Sequence, residues 1–340
     1  MNNQPLHFSL FPAGGLETAS SRIRIYTFQK ALAKRGIQTT LGFSLKANVL
    51  LFQKKVTYKN LLQARIARAR GCVIIYDVDD SGDALWYWVS KHNFQEMLRI
   101  AKVVTTCSVM QRDMLMSEYK MGEKGIVISN AVDYFPQEPV RLPQRERDKL
   151  RIVWFGNSNN FVLLEKYLKI LHQIPDSEVF AIVDARHITK FSRKHPAVKF
   201  MPWSLYDFVP VLQDCDLACL MHDGKVHDIA KGNNKMISAI TWGVPAVVSR
   251  TPEYQRTARE AGIEYAVFSD EKELHVVVER LRSPAARERY LQAAQPAIWS
   301  RYSPDIIAGQ YIDLAVRLEN EIRGNNAKRF TNPVKPDHVV

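Results

Sequence analysis

Two lysines flank the start of a predicted helix in the stretch KGNNKMISAITWGVPAVVS, which runs from Lys231 to Ser249. A helix N-terminus already carries partial positive charge, so a cation there is unfavourable unless an anion binds beside it. Free backbone N–H groups, the helix dipole and the ammonium groups of Lys231 and Lys235 together suit a phosphate. A solvated basic turn explains the same residues, and the stretch alone does not decide between the two interpretations.

A glycine pair follows the first predicted strand, in PAGGLETASSRIR. Gly14 and Gly15 would let the backbone approach a ligand closely, and Ser20 or Ser21 would cap the next helix. An ordinary turn between a strand and a helix is the competing interpretation.

Charged side chains stand at the same predicted sheet edge. Arg22 and Arg24 open the helix after the glycine pair, where the dipole disfavours cations, so we expect an anion or carboxylate partner. The stretch YDVDDSGD follows another strand and places Asp79 and Asp80 nearby. These acids would bind sugar hydroxyls or pair with the two arginines, and N-capping of a helix near Ala84 explains at least one of them.

A third polar turn, WFGNSNN, follows a strand of the second half. Gly156, Asn157 and Ser158 offer small side chains and free N–H groups where phosphate could bind. Metal ligation is not indicated, because the two histidines of HDGKVHD read as exposed groups or ring contacts. The four cysteines read as reduced core thiols: Cys72, Cys107, Cys215 and Cys219.

The composition is that of a globular protein, with 46% hydrophobic and 24% charged residues among 340. No run approaches the roughly 20 apolar residues that span a bilayer, and the start MNNQP lacks a signal-peptide pattern, so we expect a cytoplasmic protein. The net charge is +12. Most of it lies in residues 1–149, which suggests an anionic partner: a membrane surface, a phosphorylated acceptor or nucleic acid.

Short apolar runs alternate with segments of helical period, which predicts an α/β fold with parallel sheets. A helix is predicted over 20–35. A linker is predicted over 134–149, where prolines and charges cluster, and the pattern then restarts with LRIVWFG and the amphipathic NFVLLEKYLKILHQI. We place the domains at 1–140 and 141–324, with a polar tail at 325–340. The predicted first-half strands are HFSLF, IQTTLGF, ANVLLFQ, CVIIYDV, KVVTTCS and GIVIS.

In this order the motifs resemble those of GT-B glycosyltransferases, most closely glycosyltransferase family 4 and its bacterial cell-surface relatives. GGLETASSRIRIYTFQKALAKRG is similar to the family's glycine-rich loop and first helix. VVTTCSVMQRDML with IVISNAVD is similar to the element that closes the first domain. LRIVWFGNSNN looks like the opening of the donor domain, and DLACLM with KGNNKMISAITWGVPAVVS looks like its nucleotide-sugar site.

The resemblance implies two doubly wound Rossmann-like domains facing a central cleft, with a C-terminal helix packing back toward the first. It implies a nucleotide-diphosphate-sugar donor bound mainly by the second domain, a glycan, lipid-linked or other hydroxyl acceptor bound by the first, retention of configuration, and no metal or cofactor. We assign catalysis to Lys235, Asp79 and Asp80, and acceptor binding to Arg22 and Arg24. The donor-binding residues would be Gly14, Gly15, Gly156, Asn157, Ser158, Lys231, Asn234 and Ser238.

One departure from the family concerns two glutamates, whose places are taken here by Ala230 and Ser238. The contact that the second glutamate of the family makes with ribose is thus in doubt. Ser238 would still hydrogen-bond to a ribose hydroxyl, but more weakly than a carboxylate would. The leading hypothesis is a retaining transferase in surface polysaccharide or glycoconjugate biosynthesis. An inactive GT-B scaffold or binding subunit is one alternative. A nucleic-acid glucosyltransferase is another, although nothing in the sequence indicates a nucleic-acid-binding element.

The basic segment 54–70, KKVTYKNLLQARIARAR, has leucines and an isoleucine between its cations. That pattern would dock on anionic lipid at the inner face of the membrane. A covering helix with a solvated basic face also explains the segment and is the preferred interpretation.

Overall fold

The computed structural model describes residues 5–80, 83–133 and 138–331. The chain divides into two compact units. The first contains Met1–Cys107, Arg112–Ile128 and Ile307–Val340, and the second contains Ser108–Gln111 and Ser129–Ile306. The predicted pair of Rossmann-like domains is confirmed, and so is the return of the C-terminal helix to the first. The division falls at residue 128, however, and not at 140.

The first unit is built on a six-stranded parallel sheet in the order β2-β1-β3-β4-β5-β6. Strands β3 and β4 are buried at every position, which is why they read as unbroken apolar runs in the sequence. All six strands lie within the predicted segments: β1 (His7–Phe11), β2 (Gln38–Leu41), β3 (Val49–Gln53), β4 (Val73–Val78), β5 (Val103–Thr106) and β6 (Gly125–Val127).

The helix predicted over 20–35 is present but not uniform, because a π-helical turn at Arg22–Tyr26 interrupts it. It ends before Gly36, whose φ of 70° favours glycine. Thr57 and Asn60 form a reciprocal capping box at the start of α3. The helices of the first unit before the linker are α1 (Ala19–Ser21), α2 (Thr27–Lys34), α3 (Tyr58–Ala69), α4 (Asp83–Trp86), α5 (Lys91–Ile100) and α6 (Val109–Tyr119).

The second unit repeats the architecture with strand order β12-β11-β10-β7-β8-β9, again all parallel. Its core is larger than that of the first unit and includes the fully buried rings of Trp154 and Tyr290. The strands are β7 (Leu150–Phe155), β8 (Ser177–Val183), β9 (Val198–Pro202), β10 (Leu217–Leu220), β11 (Ala246–Ser249) and β12 (Val267–Phe268).

Two regions of the second half differ from prediction. The amphipathic stretch after β7 forms two helices separated by a turn at 166–167. The last helix runs through Thr331, so the start of the predicted polar tail is helical. The helices are α7 (Phe161–Glu165), α8 (Leu168–Gln173), α9 (Ala185–Lys194), α10 (Phe208–Gln213), α11 (Val226–Ile229), α12 (Asn234–Thr241), α13 (Pro252–Glu260), α14 (Glu271–Arg280), α15 (Pro284–Tyr302) and α16 (Pro304–Thr331).

The described part of the predicted linker, 138–149, has neither helix nor strand, yet it is bound to the second unit. The Val140 N–H donates to Thr241 O at 2.7 Å, and Gln295 Nε2 donates to Val140 O at 2.8 Å. The buried guanidinium of Arg287 donates to Gln144 Oε1 and to Arg145 O. The described part of the linker is therefore held against the second unit, because buried donors bind its backbone.

A buried ion pair joins three elements of the first unit. Arg24 donates to both carboxylate oxygens of Asp77, at 2.6 and 2.5 Å, and Tyr311 of α16 donates to the same carboxylate at 2.9 Å. Arg24 also donates to Ile128 O. Both charged side chains are at most 2% exposed. The pair thus ties the first helix, β4 and the returning helix α16 together.

We predict that Arg24→Ala lowers the free energy of unfolding by about 3–5 kcal/mol, because it leaves the Asp77 carboxylate buried without its cation. Urea unfolding followed by circular dichroism measures the change. Arg99→Ala is the matched control, since its side chain is 73% exposed and pairs only at the surface. Equal stability of the two variants would contradict the assigned role.

Candidate functional site

The N-terminus of α12 lies after the loop that follows β10 and has no side-chain cap. The side chain of its N-cap residue, Asn233, makes no hydrogen bond to the helix. Its Nδ2 instead donates to Thr257 Oγ1 at 2.8 Å, and its buried Oδ1 accepts no hydrogen bond from any described residue. Backbone donors of the first turn, including that of the predicted donor-binding residue Asn234, are therefore available to an anion.

Lys235 stands in that first turn, and its ammonium group has no hydrogen bond or ion pair with any described residue. Burial, reinforced by the nearby charge of Lys231, lowers its pKa to about 8. The Nζ atom lies 5.8 Å from the centroid of the Trp154 ring. Lys235 is only partly exposed to solvent. A partly desolvated cation without a carboxylate partner is destabilised, and an anionic ligand would relieve this.

Gly156 lies beside this lysine. A Cβ built on Gly156 would come within 3.6 Å of Lys235 Nζ and 3.2 Å of the Trp154 ring. The structure therefore brings a predicted donor-binding residue, Gly156, beside the predicted catalytic residue, Lys235. A side chain at 156 would press on the Trp154 ring, which explains why glycine suits this position.

The other two residues of the turn after β7 support the loop itself. Asn157 Oδ1 accepts a hydrogen bond from the Asn159 N–H at 2.9 Å, and Ser158 Oγ accepts one from the Asp184 N–H at 3.0 Å. Their side chains shape the turn, so a direct contact of either with a donor remains a prediction.

Lys231 differs from Lys235 in having a carboxylate partner. Its Nζ donates to Asp228 Oδ1 at 2.5 Å. Its charge is thereby partly neutralised, and its effect on Lys235 is through the electrostatic field. We conclude that the two cations of the sequence motif are not equivalent.

Buried polar atoms without hydrogen-bond partners concentrate in this part of the second unit. His222 and Tyr254 face each other with ring centroids 5.3 Å apart, and burial lowers the pKa of His222 to about 4, so its ring is neutral at pH 7. Buried polar atoms are rarely left unpaired, so we expect a polar partner, a water molecule or a ligand, beside these atoms. The four atoms are Trp154 Nε1, His222 Nδ1, Asn233 Oδ1 and Tyr254 Oη.

Ser238, one turn after Asn234, is 3% exposed, and Ala230 is 2% exposed. Neither offers a carboxylate. Among the described residues, no cluster of three histidine, cysteine, aspartate or glutamate side chains is placed to hold a metal ion. All four cysteines lie in the core, as predicted.

The glycine pair of the first unit is held by its own chain. The Gly14 N–H donates to Ser21 Oγ, which donates to Gln53 Oε1. A Cβ on Gly14 would lie 2.3 Å from Thr18 Oγ1, whereas one on Gly15 would meet nothing within 4 Å. Gly14 is thus required by the turn, and only Gly15 is open.

The predicted serine caps are wrong. Thr18 is the N-cap of α1 and makes no side-chain bond to it, and both serines lie inside the helix. Ser21 braces the glycine turn, and Ser20 accepts a hydrogen bond from Lys54. The helix therefore starts earlier than the sequence indicated.

The two arginines have different surroundings. Arg24 is saturated by Asp77, Tyr311 and Ile128 O, which is the carboxylate pairing that was the competing explanation. Arg22 is 4% exposed and donates to Leu16 O. Acceptor binding by Arg24 is therefore not supported, because its donors are already committed.

Asp79 and Asp80 gather around a residue that the sequence analysis missed, Lys54. Its Nζ donates to Asp80 Oδ2 and lies 3.3 Å from Asp79 Oδ1. Lys54 directly follows β3, so its place at the carboxyl edge of the sheet could have been recognised. The N-cap predicted near Ala84 falls on 81–82, outside the described residues.

Comparison with known proteins identifies the fold. No protein-family model matches the chain, and no curated protein matches it significantly. A glycosyltransferase from Rickettsia africae ESF-5 is similar at 10% identity and a TM-score of 0.61, over 93% of this chain and 99% of that one. HepE from Anabaena, in complex with UDP and glucose, gives 13% identity and 0.59, over 92% and 99%.

TarM is also similar, with 11% identity and a TM-score of 0.55 over 78% of this chain, but the chain spans only 54% of TarM. At such identities the likeness concerns architecture. The chain has the GT-B fold.

We predict that one lysine titrates near pH 8 and that Lys231→Ala moves this titration to higher pH. The substitution removes a repelling cation and frees Asp228, and both changes favour the charged form of Lys235. NMR of ¹³C-methylated lysines measures the titration. The resonance should vanish in Lys235→Ala and stay unchanged in Lys272→Ala. A titration near the ordinary lysine value would show that Lys235 is solvated.

Proposed function

We propose that this protein is a glycosyltransferase that moves a sugar from a nucleotide-diphosphate-sugar to an acceptor hydroxyl. The observation that carries the proposal is the Lys235 ammonium group, which has no partner among the described residues and lies at an uncapped helix N-terminus. A diphosphate supplies the negative charge that the lysine and the helix end both favour. Because HepE was solved with UDP and glucose, UDP-sugars are the first donors to test.

Lys235 would act on the leaving group. As the bond between the anomeric carbon and the β-phosphate oxygen breaks, negative charge accumulates on the departing diphosphate. A cation and backbone N–H groups that are already in place stabilise that charge without reorganisation. We propose that the departing phosphate accepts the proton of the acceptor hydroxyl, that configuration is retained, and that no metal ion is required.

The remaining donor contacts follow from position. The Asn234 N–H and the backbone at Gly156 would contact phosphate oxygens, and Lys231 would act through the field that it exerts on Lys235. Ser238 would donate to a ribose hydroxyl. A neutral hydroxyl binds ribose more weakly than a carboxylate, so we expect a modest donor affinity.

The acceptor would be bound by the first unit, where Arg22, Asp79 and Asp80 remain candidates and Arg24 does not. A hydroxyl of a glycan or a lipid-linked glycan fits this proposal, which places the reaction in surface polysaccharide or glycoconjugate synthesis. A catalytically inactive GT-B subunit is the second candidate, because Ala230 and Ser238 replace the expected acids.

We predict that a matching nucleotide sugar raises the melting temperature of the protein, since saturation at one hundred times Kd adds about 2.7 kcal/mol of stability. UDP-, GDP-, dTDP- and CMP-sugars form the panel. Lys235→Ala should lose this shift and reduce donor turnover at least 100-fold, and Lys272→Ala, which changes an exposed lysine, should lose neither.

The same assay, run with EDTA and with NMR of the product anomer, tests metal independence and retention. Binding without turnover of any donor would favour the inactive subunit. Unchanged turnover in Lys235→Ala would remove this lysine from the mechanism.

A membrane contact is proposed for α3. This helix covers the sheet through Leu61 and two alanines, as expected of a covering helix. Its other face exposes Tyr58, Leu62 and Ile66, which are 73%, 58% and 41% accessible and four residues apart. Exposed lysines flank this stripe, so it suits an anionic lipid surface. No helix among the described residues has the length and hydropathy needed to cross a bilayer.

We predict that the protein sediments with vesicles containing phosphatidylglycerol but not with pure phosphatidylcholine vesicles, and that added salt weakens the binding. The double variant Leu62→Glu/Ile66→Glu should lose most of it. Val276→Glu, which changes an equally exposed valine of α14, is the control. Unaltered sedimentation of the double variant would refute a contact through α3.

A further inference from the structure

Lys54 adopts a backbone conformation that L-residues rarely adopt. Its φ is 24°, and the Lys55 N–H donates to Gln53 O across it, closing a three-residue turn at the end of β3. Its side chain is only 2% exposed. Strain of this kind persists where the surrounding structure enforces it, and it clusters at functional sites.

The turn places the Lys54 ammonium group at the centre of a polar cluster. Besides its contacts with Asp79 and Asp80, it donates to Ser20 Oγ at 2.9 Å and lies 4.8 Å from the centroid of the Trp88 ring. One lysine facing two carboxylates leaves the cluster with excess negative charge. An anionic ligand such as a phosphate is therefore disfavoured, and a neutral hydrogen-bonding ligand is favoured.

Asp79 has an oxygen to offer such a ligand. Its side chain is 7% exposed, and Oδ1 accepts no hydrogen bond from any described residue although Lys54 Nζ is 3.3 Å away. A buried carboxylate oxygen strongly favours a donor, and a ligand hydroxyl is a suitable one. Burial is also the main cause that raises the Asp79 pKa to about 6.

Two aromatic rings form a corner next to this cluster. Tyr87 is 82% exposed, and its ring stands at 88° to the Trp88 ring with centroids 5.2 Å apart. The exposed face of the Tyr87 ring is accessible to a ligand. The C–H face of a pyranose packs well on an aromatic ring, while the equatorial hydroxyls at its rim reach polar groups.

We infer that Tyr87, Trp88 and Asp79 form the binding subsite for a pyranose ring of the acceptor, and that Lys54 is the residue that positions Asp79. The sugar would pack against the aromatic corner and donate a hydroxyl hydrogen bond to Asp79 Oδ1. This inference rests on the proposed transferase function, and it narrows the acceptor to a neutral sugar.

The test is saturation-transfer-difference NMR of the full chain with methyl α-glucoside, methyl β-galactoside and methyl α-mannoside, and with glycerol phosphate as an anionic probe. At least one glycoside should show transfer to its ring C–H protons. Glycerol phosphate is measured in Lys235→Ala, where the proposed donor phosphate site is removed, and it should show none. Trp88→Ala and Asp79→Asn should each reduce the transfer at least fivefold. Trp88→Tyr should retain it, as should Tyr206→Ala, which removes a 69% exposed ring of the second unit.

The role of Lys54 has its own measurement. Glycoside binding should weaken as the pH falls through about 6, where Asp79 takes up a proton. The charges that act on Asp79 are Lys54, Asp80, Asp77 and Arg24. Lys54→Met removes the main charge that lowers the Asp79 pKa, so the midpoint should move to higher pH. A merely structural lysine would change the affinity without moving the midpoint.

The inference is overturned if no glycoside shows transfer, if glycerol phosphate alone does, or if Trp88→Ala and Asp79→Asn bind glycosides like the native protein while keeping its melting temperature. Should Trp88→Ala fail to fold, Trp88→Tyr and Tyr87→Ala decide the aromatic contribution. UDP binding in the same samples, with and without Lys235→Ala, reports on the donor site independently. Glycoside binding without UDP binding would therefore refute the donor assignment and leave this subsite standing.

Discussion

A charged group that is taken out of water requires a partner of opposite charge, and this constraint sorts the buried cations of the chain. Arg24 meets Asp77, Lys54 meets Asp79 and Asp80, and each pair stands at the carboxyl end of a buried parallel strand. Lys235 also lies in a segment that follows a parallel strand, but it has no carboxylate partner among the described residues. What distinguishes a structural cation from a candidate ligand-binding one is thus the presence of a carboxylate, which a local sequence motif does not show.

Much of the fold follows from the sequence because parallel strands buried on both faces are mostly apolar. The sequence runs around β3, β4 and β7 are recognisable as strands for this reason, and glycine with φ > 0 marks the end of α2 at Gly36. The proximity of Gly156 and Lys235 could also be predicted from the sequence. Residues that follow neighbouring strands of one parallel sheet meet at one edge, whatever their separation along the chain.

What the sequence could not supply are the contacts chosen in three dimensions. From the sequence, Arg24 could bind either a ligand or an aspartate. In the structure it binds Asp77, and Tyr311 of α16 hydrogen-bonds to both side chains. The serines after the glycine pair were predicted to cap a helix. Ser21 instead donates a hydrogen bond to Gln53, which lies at the end of β3. Lys54 was read only as the first cation of the basic segment 54–70, and its strained turn and its pairing with Asp79 and Asp80 appear only in the structure.

The same reasoning explains why the helix that bears Lys235 can serve as a fixed electrostatic element. Its C-terminal end is bound by the linker, through Val140 N–H to Thr241 O, and Gln295 bridges Val140 O and Ile240 O within the core. Residues Met236–Thr241 are all buried, so neither end of α12 can shift without disturbing the core of the second unit. Charge stabilisation requires little reorganisation only where the cation is held in place, and here packing and buried hydrogen bonds hold it.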